Sequence, residues 1–404
     1  MMYHAYQATN DLLEPARIGA RAMLKLRDAM GEAAGGDWGR RIFALADLAA
    51  NTRVTHHRPP FGIDAVMVGN RLVDVREEVA LSLPFGTLLH FAKDDAPPQP
   101  KMLVVAPLSG HFATLLAQTV AVLLRDHDVY VTDWTNARDV PLSAGKFGFD
   151  DYVAYCMRFM EEIGPRAHMF AVCQPCVPAL VATALLAQDR SPAQPKSLTL
   201  MGGPVDTRIA PTVVNELATQ HSIDWFEANL ISHVPFGHAG WGRRVYPGFL
   251  QLSAFMSMNL GRHFGQHRAY YQLLADGQDA EAQKIRHFYD EYFAVLDLTA
   301  EFYLETVERV FQKAELAAGK MYWRGQKVDC SAITRTALLT VEGERDDICA
   351  VGQTAAAHDL CTSLRPHLRR HHLQPGVGHY GLFSGRRWEK EVYPQVKNLV
   401  LATA

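Results

Sequence analysis

Residues 166–188 read RAHMFAVCQPCVPALVATALLAQ and place a thiol between two predicted elements. The run from His168 to Val172 is apolar and short enough to predict a buried strand, and the Ala/Leu-rich segment 179–188 predicts a helix. Cys173 stands at their junction. A residue on a sharp strand-to-helix turn is raised above the edge of the sheet, where the free N–H groups of the helix favour a negative charge. The stretch therefore predicts a strand, an exposed nucleophile and a helix in that order.

The neighbours of Cys173 bear on how sharp this turn can be. Ala171, two positions earlier, is small, as the turn requires. Pro175, two positions later, replaces the usual glycine, but a proline is tolerated in a first helical turn because the N–H there has no partner. Cys173 and Cys176 also form a C-x-x-C pair, which leaves open a redox pair, an inert core cysteine, or Cys176 as nucleophile. We assign the nucleophile to Cys173 and expect Cys176 to be a core thiol.

Strand and helix alternate on both sides of this stretch. The predicted strands are KMLVVAP, HDVYVTDW, AHMFAV, KSLTLMGGP, RTALLTVEGERDDI and RRHHLQ. The helices predicted between and after them are FATLLAQTVAVLLRD, FDDYVAYCMRFMEEIG, ALVATALLAQ, AAAHDLCTSL and RRWEKEVYPQVKNLVLATA. This order predicts βαβ units and a parallel sheet, and strands that are apolar throughout require a sheet covered on both faces.

The chain divides into four predicted parts. The N-terminal part contains helices and then a pair of strands in RLVDVREEVALSLPFGTLLHFAKD. A long helical segment rich in aromatic side chains interrupts the alternating region before its last strands. The N-terminal part is residues 1–95, and the first part of the core is residues 96–204. The helical cap insertion is residues 205–333, and the last part of the core is residues 334–404.

Composition excludes several classes of protein. The 404 residues are 48% hydrophobic and 21% charged with a formal net charge of −3, which indicates an ordinary globular protein without a nucleic-acid partner. No window approaches the ~20 apolar residues of a transmembrane segment, and the N-terminal residues lack the apolar centre of a signal peptide. Six cysteines without paired spacing do not indicate disulfides, and the histidines at 367–372 lack the spacing of a zinc site. We expect a reduced, cytoplasmic protein without a metal.

Two residues with acid–base chemistry follow later strands. Asp346 comes after the penultimate predicted strand, and His379 lies in PGVGHYGLFSG, between the last strand and the terminal helix. Nucleophile, acid and histidine have this order in an α/β hydrolase, where the carboxylate orients the imidazole and the imidazole takes the nucleophile's proton. We therefore predict an α/β-hydrolase fold with a mostly parallel central sheet and an inserted helical cap domain. The predicted site is Cys173, Asp346 and His379, with Asp347 as the alternative acid.

Ester cleavage also requires donors for the oxyanion that forms on the carbonyl oxygen. The backbone N–H of Gln174, directly after the predicted nucleophile, is one candidate. The loop after the first parallel strand, APLSGHF, supplies the others, which are the backbone amides of Leu108, Ser109 and Gly110. The alternative for this loop is a plain strand-to-helix turn.

Six strings of the sequence resemble the intracellular polyhydroxyalkanoate (poly-3-hydroxybutyrate) depolymerases, and the resemblance covers nearly the full length. The strings are VVAPLSGHFATLL, VYVTDWTNARDVPLSAGKFGFDDY, VCQPCVPAL, LMGGPVDTRIAPT, VEGERDDI and GHYGLFSGRRW. The resemblance implies an α/β hydrolase that attacks the ester bonds of a stored polyester, with Cys173 as nucleophile, Asp346 as orienting acid and His379 as general base. It further implies that the partner is an amorphous polyester granule and that the protein is located in the cytoplasm, associated with storage granules.

Two other functions stay open. One is a synthase-like acyltransferase that builds the polymer, although the similar synthases have glycines after the cysteine and Pro175 favours a depolymerase. The other is a non-catalytic granule-surface protein on a hydrolase scaffold. We expect no cofactor, but a thiol such as coenzyme A could replace water as acyl acceptor, and the sequence is compatible with a homo-oligomer.

Overall fold

The computed structural model describes residues 2–30, 36–51, 53–258 and 260–403. Gly35, which with Gly36 is expected to break the N-terminal helical run, lies outside these ranges. In the described part, the helices α1–α14 are Met2–Met30, Asp37–Asn51, Ala117–Leu123, Phe149–Ile163, Cys176–Gln188, Val213–Gln220, Ile223–Leu230, Gly248–Met258, Leu260–Ala275, Asp279–Tyr292, Ala300–Thr306, Ala357–Leu360, Gly385–Arg387 and Tyr393–Thr403. The strands β1–β14 are Ala65–Val68, Arg71–Leu83, Gly86–Lys93, Lys101–Val105, Asp128–Trp134, His168–Val172, Ser197–Met201, Ser232–His233, Arg244–Tyr246, Leu298–Thr299, Tyr322–Trp323, Gln326–Lys327, Ala337–Gly343 and Arg369–Gln374.

Nine of these strands form one sheet, in the order β1-β2-β3-β5-β4-β6-β7-β13-β14. The neighbours from β5 to β14 are parallel, and β1, β2 and β3 form an antiparallel edge that continues onto β5. The strand order reverses at β4, because β5 lies on one side of β4 and β6 on the other. The loops after β4 and β6 therefore run to opposite sides of the sheet and leave a crevice at their carboxyl ends. The predicted fold, an α/β-hydrolase core with a mostly parallel sheet, is confirmed.

Alternate residues of β6 pack into different clusters of buried side chains. Met169 and Ala171 belong to the cluster that includes helices α4 and α5, whereas Phe170 and Val172 belong to the cluster that includes α3 and α14. All residues of β6 are buried. The strand is apolar throughout because helices cover both faces of the sheet at this point.

Between β7 and β13 the chain leaves the sheet and later returns to it. This cap segment, residues 202–336, contains helices α6 to α11, as expected for a helical insertion. It also contains the three-stranded sheet β10-β9-β8 and the hairpin β11-β12, which the sequence did not predict. These strands have only two or three residues each, too few for a periodic pattern. The domain boundaries themselves stay predictions.

The N-terminal helices pack against the cap segment. The Tyr3 hydroxyl donates to the buried Asp297 carboxylate at 2.6 Å, and the Tyr3 ring meets the Phe249 ring edge-on. From the end of α2, Asn51 accepts a hydrogen bond from Arg286 of α10 at 3.1 Å. The N-terminal helices and the first strands, grouped together in the sequence analysis, therefore contact different parts of the molecule.

Three local details differ from the sequence prediction. Strand β1 adds a third strand to the predicted pair, and it was missed because it has only four residues. The helix predicted over 355–364 is reduced to α12, and the terminal helix opens with a π-helical turn at Trp388–Val392. No helix in the part of the chain that the structure describes is long and apolar enough to cross a membrane.

The backbone after β7 comes very close to the start of α5. A Cβ on Gly203 would lie 2.1 Å from Cβ of Cys176, 2.2 Å from its Sγ and 2.8 Å from the carbonyl oxygen of Cys173. Cys176 is fully buried and packed on every side, so it cannot move away. Only a residue without a side chain allows this approach of strand and helix.

We expect Gly203→Ala to lower the free energy of unfolding by about 1–3 kcal/mol, because the added methyl group overpacks a closed core. Gly19→Ala is the matched control: Gly19 is an exposed residue of α1 with no atom within 4 Å of an added Cβ, so this variant should be neutral or slightly stabilising. Urea denaturation followed by circular dichroism measures both. Equal midpoints for the two variants would contradict the close approach.

Candidate active site

Four loops meet at one edge of the central sheet. They follow β4, β6, β13 and β14, and they carry Leu108–Gly110, Cys173, Asp346 and His379, respectively. The four strands run parallel in the sheet, with β7 between β6 and β13, so their carboxyl ends lie at the same edge. The four loops are therefore close together in space, although they are far apart in the sequence. They lie at the crevice where the strand order reverses.

Cys173 occupies a strained turn between β6 and α5. Its φ of +68° lies in the left-handed region, which costs a residue with a side chain about 1–2 kcal/mol. The Cys173 N–H donates to the Met201 carbonyl at 2.8 Å, and the Cys173 carbonyl accepts from the Cys176 N–H at 3.1 Å. These bonds hold the turn, and Cys173 stays half-buried above it. The predicted position of the thiol at a sharp strand-to-helix turn matches this geometry.

The space for the turn comes from two glycines after β7. Gly203 admits the start of α5, and Gly202, with φ +56°, faces the other site residues. A Cβ on Gly202 would lie 3.3 Å from Cε1 of His379 and 3.4 Å from Oδ2 of Asp346. Sequence reasoning missed both glycines, although the adjacent pair at the end of a predicted strand was a readable signal. Pro175 caps α5 with φ −68°, which a proline adopts without strain.

Cys176 lies on the buried side of α5. It is fully buried, and its thiol contacts the carbonyl oxygen of Ala171 at 3.4 Å. Burial raises the pKa of the Cys176 thiol well above its ordinary value, so this thiol stays protonated. Its environment is that of a core thiol rather than a nucleophile.

Asp346 and His379 form a buried pair. Oδ2 of Asp346 lies 2.8 Å from Nδ1 of His379, and Oδ1 accepts the backbone N–H groups of Ile348 and Cys349, each at 2.9 Å. His379 and Cys173 line the same small pocket. The three predicted residues therefore lie together, and His379 is next to both of the others.

Opposing effects act on the pKa of His379. Burial on its own lowers this pKa, but the electrostatic effect of the nearby Cys173 and Asp346 and the hydrogen bond to Asp346 raise it well above the ordinary value. The imidazolium form is thus stabilised between a sulfur and a carboxylate. Such an imidazole accepts the proton of a neighbouring thiol readily.

The alternative acid, Asp347, is exposed at the rim of the crevice, whereas the Asp346 side chain is buried against His379. A residue that the sequence analysis missed supports the loop that holds both. The buried Glu342 carboxylate accepts the N–H groups of Gly352, Thr354 and Ala355, at 2.9, 2.8 and 2.9 Å. In the sequence, Glu342 could have been noticed as a carboxylate within a mostly apolar strand.

The predicted oxyanion donors are placed less simply. The Leu108 N–H donates to the side-chain oxygen Oε1 of Gln174 at 3.3 Å, so this predicted donor already has a partner. The carbonyl of Gly110 accepts from the Leu296 N–H at 3.0 Å, which fastens the loop to the cap segment. Ser109 lines the same cavity as Cys173. The hydrogen bond between the Gln174 side chain and the Leu108 N–H was not predicted, because the sequence does not indicate the direction of a glutamine side chain.

Two cavities adjoin the site. The nucleophile pocket, about 40 Å³, is lined by Cys173, His379, Phe112, Leu115, Ile348 and Phe383, among others. The cap cleft, about 660 Å³, lies between α9, α10 and the His379 loop, and its lining includes Lys284, Phe288, Tyr289, Tyr292, Asp347 and His379. Among the residues described, no group of three or more His, Cys, Asp and Glu side chains could hold a metal ion.

Structural comparison finds remote similarity to known hydrolases. The 2-hydroxy-6-oxo-6-phenylhexa-2,4-dienoate hydrolase of Rhodococcus sp. strain RHA1 is 10% identical with a TM-score of 0.45, and the match covers 81% of this chain and 99% of the other. A carboxylesterase of the thaumarchaeon Nitrososphaera gargenis is 12% identical with a TM-score of 0.43, over 80% of this chain and 99% of the other. No curated protein matches the sequence significantly.

The sequence also matches a family model described as PHB de-polymerase C-terminus. The match spans residues 202–404, just over half of the chain, and includes Asp346 and His379 but not Cys173. The resemblance noted in the sequence is thereby confirmed: the chain belongs to the PHB depolymerase family and is a hydrolase acting on ester bonds.

Proposed function

We propose that the protein is a depolymerase of poly(3-hydroxybutyrate) or a related polyhydroxyalkanoate, acting on storage granules in the cytoplasm through Cys173, His379 and Asp346. The observation that supports this most directly is the position of His379, whose Nδ1 lies 2.8 Å from Asp346 and whose side chain lines the same pocket as Cys173. Family membership supplies the substrate class.

The first half of the reaction forms a thioester. His379 takes the proton of Cys173, and the thiolate attacks the carbonyl carbon of an ester bond in the polymer. The C–O bond then breaks, the departing chain leaves as an alcohol that receives the proton from His379, and the acyl unit stays on the sulfur. Asp346 keeps the imidazole in the required tautomer and orientation throughout.

The second half releases the acid. His379 removes a proton from water, the resulting hydroxide attacks the thioester carbonyl, and the sulfur departs and is reprotonated by His379. A thiol such as coenzyme A in place of water would give a soluble thioester instead of the free acid. Product analysis with and without coenzyme A distinguishes the two acceptors.

The oxyanion rests on the backbone N–H of Gln174 and on the loop after β4. The Gln174 side chain holds that loop through its bond with the Leu108 N–H. As the oxyanion forms, its full negative charge competes with the neutral Oε1 for this donor, since charged acceptors bind roughly twice as strongly. The Gln174 side chain therefore positions the Leu108 N–H, which then donates to the oxyanion instead.

The cap cleft suits an apolar, uncharged chain. Three aromatic side chains of α10, Phe288, Tyr289 and Tyr292, line the cleft, and His379 lines it as well. Such a lining binds the repeating alkyl and ester groups of a polyester without requiring a charge on the substrate. Polymer in the amorphous granule is the form whose chains are mobile enough to enter.

Two alternatives are separated by simple assays. A synthase-like acyltransferase would make polymer when supplied with hydroxyacyl-coenzyme A, whereas the depolymerase releases soluble acids from granules. A non-catalytic granule protein would leave polymer content unchanged whether or not Cys173 is present. The position of Cys173 on a strained turn beside His379 argues against the last, because such strain persists mainly where a reaction uses it.

We expect Cys173→Ala to lower the release of soluble acid from amorphous granules by a factor of about 10⁴ or more, because the attacking atom is lost. Cys176→Ala, the matched control, should keep most of the activity, since that thiol is buried in the core. Titration of released acid measures both variants. Loss of activity in Cys176→Ala alone would overturn the nucleophile assignment.

We expect Asp346→Asn to lower the pKa of His379, because the adjacent negative charge is removed, and to lower kcat by about 10⁴-fold. Because the pKa of His379 is higher in the folded than in the unfolded state, its protonation stabilises the fold fully below a pH of about 6.5. This stabilisation is lost as the pH rises through the folded-state pKa, so the variant loses most stability at acid pH. Imidazole NMR, pH–rate profiles and denaturation at several pH values measure these effects. Asp347→Asn should match the wild type; if it instead shows the losses, Asp347 is the acid.

We expect Gln174→Met to lower kcat about two- to tenfold with KM nearly unchanged, because one neutral hydrogen bond to the Leu108 amide is lost. Gln174→Glu retains an acceptor for that amide but places a negative charge beside the oxyanion, so its kcat should be lower still. Steady-state kinetics on a soluble ester measures both. A glutamate variant as active as the methionine variant would contradict an oxyanion at this position.

A further inference from the structure

The loop between β8 and β9 exposes two aromatic side chains that contact each other. Phe236 is 82% and Trp241 is 60% exposed, and their rings meet edge-on with centroids 5.5 Å apart. A single exposed apolar side chain is ordinary, but large apolar side chains grouped at the surface mark an interaction site. We refer to residues 234–242 as the aromatic loop.

The backbone of the aromatic loop is held in place by the segment on which it packs. The Gly240 N–H donates to the Arg138 carbonyl at 2.8 Å, and a Cβ on Gly240 would lie 2.7 Å from the same oxygen. The buried guanidinium of Arg243, at the end of the loop, donates to three backbone carbonyl oxygens at 2.6–3.1 Å, those of Val140, Pro141 and Gly145. These contacts fix the loop in the conformation that places both rings at the surface.

The segment under the aromatic loop, residues 135–148, directly follows β5. Because β5 runs parallel to β4, this segment and the loops of the candidate site leave the same edge of the sheet. Leu142 of the segment is 56% exposed and adjoins the aromatic loop, since its Cδ1 would lie 3.8 Å from a Cβ on Gly242. The exposed apolar surface therefore lies at the edge of the sheet that also carries Cys173 and His379.

The aromatic loop contains no aspartate, glutamate, lysine or arginine. Its one ionisable side chain is that of His238, whose pKa is lowered by partial burial and by the charge of Arg138. This imidazole is therefore neutral near pH 7. An uncharged surface of this kind fits an uncharged partner, because a charged group would lose hydration there without gaining an opposite charge.

The exposed aromatic area is too small for a stable interface with a folded protein. An aromatic side chain buries about 150–250 Å² when fully covered, so the exposed parts of the two rings add up to about 300 Å². A stable protein interface takes about 800 Å² from each partner. A deformable apolar phase needs no matching surface, because its molecules rearrange around each ring. The aromatic loop therefore suits a fluid polymer better than a second copy of this chain.

We propose that Phe236 and Trp241 dock the enzyme on the amorphous polyester granule by inserting their rings between mobile polymer chains. The inference rests on the proposed function for the identity of the partner, and it adds the surface through which the protein binds that partner. The indole N–H of Trp241 can donate to ester carbonyl oxygens, which a polyester supplies throughout. Docking through these rings turns the edge of the sheet that carries the candidate site toward the granule.

The test measures binding separately from cleavage. Binding is measured in the Cys173→Ala background by sedimentation with protein-free amorphous poly(3-hydroxybutyrate) particles, which this background does not digest. Phe236→Ser combined with Trp241→Ser should raise the dissociation constant for the particles at least about tenfold, because the apolar area that enters the polymer is lost. With Cys173 present, the same pair of changes should alter kcat/KM on a soluble ester by less than about twofold, since both residues are exposed and line neither site cavity.

Two further variants serve as controls. Trp38→Ser is the matched control, because Trp38 is 79% exposed at the start of α2, and it should bind the particles as its parent does. Phe236→Tyr combined with Trp241→Phe keeps two aromatic rings and should bind within about threefold of the parent. If the serine pair lowers soluble-ester cleavage, Trp241→Gln alone replaces it in the same binding measurement.

Several results would overturn the docking surface. They are unchanged binding without the two rings, an equal loss of binding in Trp38→Ser, and tighter binding to phosphatidylcholine vesicles than to the particles. A dimer in solution that the serine pair abolishes would assign the rings to a second copy instead. Wild-type protein that binds the particles through the two rings but releases no acid from them would leave the docking surface in place and overturn the proposed function alone.

Discussion

The left-handed backbone at Cys173, with φ +68°, is the constraint on which the candidate site depends. A thiol placed there stands above the sheet only if the helix that follows can start at once, and that helix starts against the end of β7. The approach leaves no space for a side chain on Gly203, where a Cβ would lie 2.1 Å from the Cβ of Cys176. The strain at the turn is therefore stabilised by packing between a strand end and a helix start.

This arrangement also explains the proline at position 175. In the usual elbow, a glycine two residues after the nucleophile lets the helix lie close to the neighbouring strand. Here the neighbouring strand ends in Gly202-Gly203, which supplies the space from the other side. Pro175 then only has to adopt the φ of −68° that its ring already favours. The departure from the usual motif is compensated by residues nearly thirty positions away in the sequence.

Much of the fold could be predicted because its signals are local. Continuous apolar strands alternating with helices predicted the parallel sheet, and parallel strands that end at one edge placed the loops of Cys173, Asp346 and His379 together. Contacts between distant segments could not be predicted. The bond of the Gln174 side chain to the Leu108 N–H and the packing of Tyr3 against Asp297 depend on side-chain directions that only the assembled tertiary structure sets. Short strands such as β8 to β12 likewise have no period to read.

The cap segment is attached directly to the loop that would bind the oxyanion. His111, next to Gly110, pairs with Val295 in an isolated antiparallel bridge, and its Nε2 lies 3.1 Å from the carbonyl oxygen of Tyr292. The Leu296 N–H donates to Gly110 at 3.0 Å. Burial lowers the pKa of His111 to about 4, so this imidazole stays neutral and donates to the Tyr292 carbonyl near neutral pH. Because Tyr292 also lines the cap cleft, the segment that forms the wall of this cleft is the same one that fixes the loop after β4.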